Sequence, residues 1–184
     1  MTPMLGADPG SRSGAAGLLD PEGKTVLAWW SWLAMPAGLR LTSSAKTRGK
    51  PTVSMHDRMT GLGRAIWIEA KPWDPDVVIE GLYAPRDGKA QDVITLAEST
   101  GELRGALGRA PMWRPLASTW RPLVLCAARL RADQAERMAV TAAAAAFKWP
   151  SPERPTTKVE LGALSEALWI AKAGLVERQR RAKR

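Results

Sequence analysis

The run Met4-Leu5-Gly6-Ala7-Asp8-Pro9-Gly10-Ser11-Arg12-Ser13-Gly14 decides the architecture. A short apolar segment delivers one carboxylate, and Pro9-Gly10-Ser11 reverses the chain at once. Gly14 to Leu19 then reads as a second strand pairing back on the first. An acid held at a strand end beside a backbone-rich turn suits a hard divalent cation, which takes carboxylate oxygens in near-rigid geometry. The same pattern describes a plain hairpin whose Asp8 bonds its own turn amides. The run alone leaves both readings open.

The bulk composition narrows the classes. A chain of 184 residues fits one domain with a single sizeable core. With 45% hydrophobic and 24% charged residues, it is globular rather than disordered. A formal charge of +9 favours a polyanionic partner, nucleic acid first and an acidic membrane surface second. The lone Cys126, beside Leu123-Val124-Leu125, excludes an intrachain disulfide and a cysteine-based zinc site, which fits a reducing compartment. The single histidine, His56, leaves only one possible imidazole base. Acidic and turn residues interrupt the N-terminus within its first ten positions, unlike a signal peptide. No apolar run reaches the roughly 18–20 residues a bilayer span needs. The expectation is a soluble cytoplasmic protein with no membrane partner.

Strands are expected at 3–8, 14–20 and 25–33, the last placing Trp30 and Trp32 on one face. Residues 36–52 form a loop with Arg40, Lys46, Arg48 and Lys50 and no acidic residue, suited to phosphate contact. A helix follows over 54–70, then the β-branched run Asp76-Val77-Val78-Ile79-Glu80, which reads as a buried central strand. A helix is expected at 92–108, a short strand or two within 111–125, and an alanine-rich helix over 131–149. A linker at 150–157 precedes a final amphipathic helix at 159–172. The expected fold class is α/β: a mixed sheet, three antiparallel strands leading into parallel strands, flanked by helices. One domain would span 1–175, and 176–184 would be a flexible basic tail open to nucleic acid.

Glu80 closes a fully apolar strand. Burying an unpaired carboxylate is costly, so Glu80 either meets a cation or emerges at the sheet edge. Glu166 stands beside the inward stripe Leu161, Leu164, Leu168 and Ala171 of the last helix. Asp8 and Glu80 leaving neighbouring strands, with Glu166 descending from a helix over the sheet end, would form a carboxylate cluster. Such a cluster can hold two divalent cations roughly 4 Å apart and points to phosphodiester hydrolysis.

These residues resemble the RuvC-type Holliday-junction resolvases of the ribonuclease H-like superfamily. Leu5-Gly6-Ala7-Asp8-Pro9-Gly10-Ser11-Arg12 follows the family's first-strand motif, and Val78-Ile79-Glu80-Gly81-Leu82-Tyr83 its second. Leu96 to Gly105 resembles the helix after it, Gln134 to Met138 a later helix, and Glu166 to Ala171 the last catalytic helix. The resemblance runs from about residue 3 to 174. It implies a magnesium-dependent crossover junction endonuclease, a homodimer that nicks four-way or other branched DNA symmetrically. Asp8, Glu80 and Glu166 would be its metal-binding catalytic acids, holding Mg²⁺ or Mn²⁺, two ions per site. Tyr83 falls where the family stacks an aromatic on bases, and Arg121 and Arg131 near its basic residues at the scissile phosphate. A bacterial cytoplasm or that of a phage-infected host would be the setting.

One departure stands out. The family's last motif carries two acids three apart, whereas Ala163 fills the first position here and Glu166 replaces the usual aspartate. Glu160 is the nearest substitute as a fourth metal ligand, though it lies about 120° round the helix from Glu166. The loss motivates an alternative of the same fold: a catalytically weak or inactive junction-binding architectural protein.

Overall fold

The computed structural model describes residues 2–10, 14–32, 55–81, 90–125, 132–149 and 157–184. Four strands form one sheet in the order β3-β2-β1-β4: β1 (Met4–Asp8), β2 (Ala15–Leu19), β3 (Val26–Ser31) and β4 (Asp76–Ile79). β1 pairs antiparallel with β2 and parallel with β4, and β2 pairs antiparallel with β3. The mixed sheet expected from the sequence is present. Five helices flank it: α1 (Met55–Ala70), α2 (Ala90–Ala106), α3 (Ala117–Leu125), α4 (Ala132–Ala146) and α5 (Lys158–Ala182).

Strand periodicity divides the core into two layers. Leu5, Ala7, Ala16, Leu18, Val77 and Ile79 face one way, onto Met59, Leu62 and Ile66 of α1 and Leu103 of α2. Trp30 and Trp32 share that layer, as their spacing predicts. Met4, Ala15, Leu19 and Val78 face the other way, onto Leu164, Ala167, Leu168 and Ala171 of α5 and Trp120 of α3. The even positions of β1 and β4 therefore belong to the α5 side. Asp8 and Glu80 continue those even series, so both carboxylates leave the sheet towards α5.

That helix lies unusually close to the sheet because Gly6 has no side chain. A Cβ there would run into the backbone of Ala167 and Ala171. Gly174, further along α5, packs in the same way against Val78 and Met4.

Two expectations are corrected. Within 111–125, only Trp113 bridges the sheet, in parallel with Val78. Met112 N–H donates to Val77 O and Gly81 N–H to Pro115 O, which carries the segment along β4. The chain then turns helical: Leu116 O accepts from Thr119 and Trp120, and Ala117–Leu125 is α3. The β-propensity of Trp, Leu and Val here is overridden by packing, because Trp120 and Leu125 are buried beside α5. The second correction concerns 176–184, which continues α5 as helix through Ala182 instead of fraying into a tail. Arg181 pairs with Glu177 one turn back at 2.9 Å, and Arg178 bonds Asp76 Oδ2 at 3.0 Å and Thr2 O at 2.8 Å. The basic loop 36–52, the linker 150–156 and Cys126 lie outside the described residues.

Gly6→Ala is expected to destabilise the protein by about 1–3 kcal/mol, the usual cost of overpacking. Gly101, in α2, has nothing within 4 Å of a Cβ built on it. Gly101→Ala should therefore stabilise by about 0.5–1 kcal/mol, the ordinary helical preference for alanine. Urea unfolding of the two variants checks both signs.

Candidate active site

Asp8 ends β1, and Glu80 follows the last residue of β4. Glu80 N–H donates to Ala7 O at 3.0 Å, so the parallel ladder reaches the carboxylates themselves. Both stand at the carboxyl ends of adjacent parallel strands, where an α/β sheet opens into a crevice. From above, α5 adds Glu166, four residues before Ile170 in the buried stretch Ala167–Ala171. From the side, α3 adds Arg121, whose Nη2 donates to Glu166 Oε1 at 2.6 Å. Asp8, Glu80 and Arg121, with Pro9, Gly10 and Leu96, line a cleft of about 240 Å³.

The turn after β1 shows that both readings of Asp8 hold together. Gly10 N–H donates to Asp8 Oδ1 at 3.2 Å, the self-bonded hairpin expected of an Asp-Pro-Gly run. The charges of Glu80, Glu166 and Arg121 also act on the same carboxylate. Burial first, then repulsion from Glu80 and Glu166, holds the Asp8 carboxyl well above the ordinary carboxylate range. The Gly10 amide and Arg121 oppose this with less effect. Burial likewise raises Glu80, with the Trp120 indole pulling it down and Glu166 pushing it up.

Trp120 is the functional neighbour the sequence did not reveal. Its Nε1 donates to Glu80 Oε1 at 2.8 Å, and its ring lies 5.3 Å beneath the Arg121 guanidinium carbon. The only signal was its place next to Arg121 in a segment expected to be extended. Each acid thus has a distinct partner: the Gly10 amide for Asp8, the Trp120 indole for Glu80 and the Arg121 guanidinium for Glu166.

Glu160 is not brought to this cluster. Thr157 caps α5, accepting from Glu160 N–H at 3.3 Å and donating its hydroxyl to Glu160 Oε2 at 2.6 Å. Thr157 is the N-cap, and the acid is turned back to its hydroxyl at the helix start. In this arrangement Glu160 serves the start of α5. Tyr83 and Arg131 lie outside the described residues.

Carboxylate oxygens are the donor set that Mg²⁺ or Mn²⁺ prefers. The mutual repulsion of Asp8, Glu80 and Glu166 is what a cation between them would relieve. The residues therefore fit such an ion in chemistry. As the side chains stand, no three His, Cys, Asp or Glu groups among the described residues are arranged to hold one. Glu166 is turned to Arg121 through Oε1.

The raised Asp8 makes a prediction for the metal-free protein. The folded chain holds that proton more tightly than the unfolded chain, whose Asp titrates near 4. Stability is then greatest below the unfolded value and falls as pH rises through the window up to the folded one. Asp8→Asn removes this loss. In chelator at about pH 7.5 it should raise Tm. The gain should vanish near pH 4, which paired thermal melts will show.

No family model matches the sequence, and no curated protein matches it. Solved structures do match the fold. The structure is similar to that of T. thermophilus RuvC in complex with Holliday junction substrate, with a TM-score of 0.63 at 13% identity, covering 97% of this chain and 96% of that one. A second Thermus thermophilus RuvC structure gives a TM-score of 0.56 at 14% identity, over 97% of this chain and 96% of the other. The protein has the RuvC-like form of the ribonuclease H-like fold.

Proposed function

We propose that the protein is a divalent-metal-dependent endonuclease that resolves four-way or otherwise branched DNA by paired, symmetric phosphodiester hydrolysis. One observation carries the reading: Asp8 and Glu80, at the ends of β1 and β4, line one cleft of a RuvC-like fold together with Arg121, which binds Glu166 of α5. One of the solved structures similar to it is RuvC in complex with a Holliday junction substrate.

Asp8, Glu80 and Glu166 would hold Mg²⁺ or Mn²⁺, two ions per site. Bound there, the metal supplies an activated water and neutralises charge on the leaving oxygen. The chain's own groups do the rest. The β1–β2 turn, with Gly10 bonded to Asp8, fixes one carboxylate at the cleft mouth. Trp120 fixes Glu80 through its indole. Arg121 offers a planar fork of donors that matches a phosphate. The formal charge of +9 supplies long-range attraction to the DNA backbone, so affinity should fall steeply with salt. A homodimer would set two such sites about a two-fold axis, one per nicked strand.

Binding without cleavage is the second reading, and the structure holds two observations in its favour. Ala163, where the resemblance puts an acid, packs against the core beside α5's buried face. Glu166, the remaining acid of that motif, is tied to Arg121.

A labelled synthetic four-way junction incubated with Mg²⁺ or Mn²⁺ separates the two. Paired nicks on opposing strands are expected from the wild type. Asp8→Asn and Glu166→Gln should each slow them by about 10³-fold, about 4 kcal/mol of barrier. Tight junction binding with no nicks under either metal would sink the nuclease reading and leave the architectural one.

A further inference from the structure

Arg121 is the cation that the described side chains bring to the acid cluster, and its placement has a specific geometry. The ion pair to Glu166 is short, 2.6 Å, and largely shielded, with side chains 23% and 18% exposed. Its positive charge also acts on Asp8 and Glu80, drawing both down against burial and repulsion. The guanidinium rests on the Trp120 ring, whose own indole N–H is committed to Glu80. Arg121 Nε is buried and makes no hydrogen bond. One donor is thus engaged with Glu166, on a side chain that also lines the cleft.

A guanidinium and a divalent cation cannot both use Glu166 Oε1 at contact distance. Each is attracted by the same carboxylates, and each repels the other. The pair occupies Glu166 Oε1 and offsets part of that acid's charge, so it opposes an incoming cation.

We propose that Arg121 is a built-in counter-ion of the acid cluster, competing with the divalent cation for Glu166 and so holding down the site's metal affinity. This rests on the metal-site reading above and goes beyond it. Arg121 sets how readily the metal enters, separately from any contact it makes with phosphate. In this role it is a positioning residue, acting through Glu166. Removing its charge strengthens metal binding, whereas a side chain that merely supports the fold would weaken it when removed.

The test is Mn²⁺ binding to the full chain without DNA, followed by loss of the free-ion EPR signal. Wild type, Arg121→Gln, Glu166→Gln and the double variant form a cycle that isolates the Arg121–Glu166 coupling. Arg121→Gln should bind Mn²⁺ roughly tenfold more tightly, within the 5- to 150-fold range typical of coupled sites. In the Glu166→Gln background, the same substitution should gain much less. Arg121→Lys, which keeps the charge without the fork, should stay near the wild type. Equal or weaker Mn²⁺ binding by Arg121→Gln overturns the proposal while leaving the metal site in place. A gain of the same size without Glu166 also overturns it, because the competition would then not run through that acid. Mn²⁺ bound by none of the four proteins overturns the proposal and the metal reading together.

Discussion

The approach of α5 to β1 is the constraint on which the rest of the structure depends. Helix and strand meet backbone to backbone at Gly6, against Ala167 and Ala171. This contact fixes the height of α5 over the sheet and its position along it. Glu166 precedes Ala167 directly, so the same contact sets the acid of α5 over the ends of β1 and β4. Any side chain at Gly6 would lift the helix and move that acid away from Asp8. The pleat does the complementary task from below. Met4, Gly6 and Asp8 share one face of β1, while Val78 and Glu80 share the matching face beside it. The carboxylates thus converge because a close-packed core ends where they begin.

Convergence has an energetic cost, visible in the raised Asp8 and Glu80 carboxyls. The chain offsets it with one tailored donor for each acid. A turn amide serves Asp8, an indole serves Glu80, and a guanidinium serves Glu166. The three differ in how firmly they hold. The amide and the indole belong to backbone and packed ring, and move little. The guanidinium sits at the end of a long side chain that can swing, and it alone carries charge. Two neutral donors thus hold two of the acids, and a charged one holds the third.

The sequence made much of this legible, for identifiable reasons. Asp8 and Glu80 were readable because an acid closing an apolar strand is an energetic anomaly. The two-faced sheet was readable because a period of two leaves few alternatives. Glu166 was harder, since a boundary glutamate on an amphipathic helix is ordinary, and the family resemblance singled it out. The place of Glu160 was not legible, because its distance along the helix said nothing of Thr157, whose hydroxyl it meets at the helix start. The helix α3 was missed because β-prone residues were read locally, while burial of Trp120 decided the outcome. With α3 went Trp120's bond to Glu80, which no spacing rule connects across 40 positions. The last turns of α5 were missed because a run of basic residues suggests repulsion. Asp76 and Glu177 neutralise part of it from places that only the fold brings near.

The substitution at 163 belongs with Arg121 in one electrostatic account. A fourth carboxylate there would add to the burial and repulsion that already raise the Asp8 carboxyl. With Ala163 the position becomes an apolar contact of the core, and the helix gains packing where it would otherwise carry charge. Arg121 then changes the balance in the same direction, placing a positive charge against Glu166. Lacking one anion and holding one cation, the cluster attracts a divalent ion less than four bare carboxylates would. Both features make the acids cheaper to keep in the folded chain without metal, and both weaken the pull on an incoming ion. For such a cluster, stability without a bound cation and affinity for one are opposed properties.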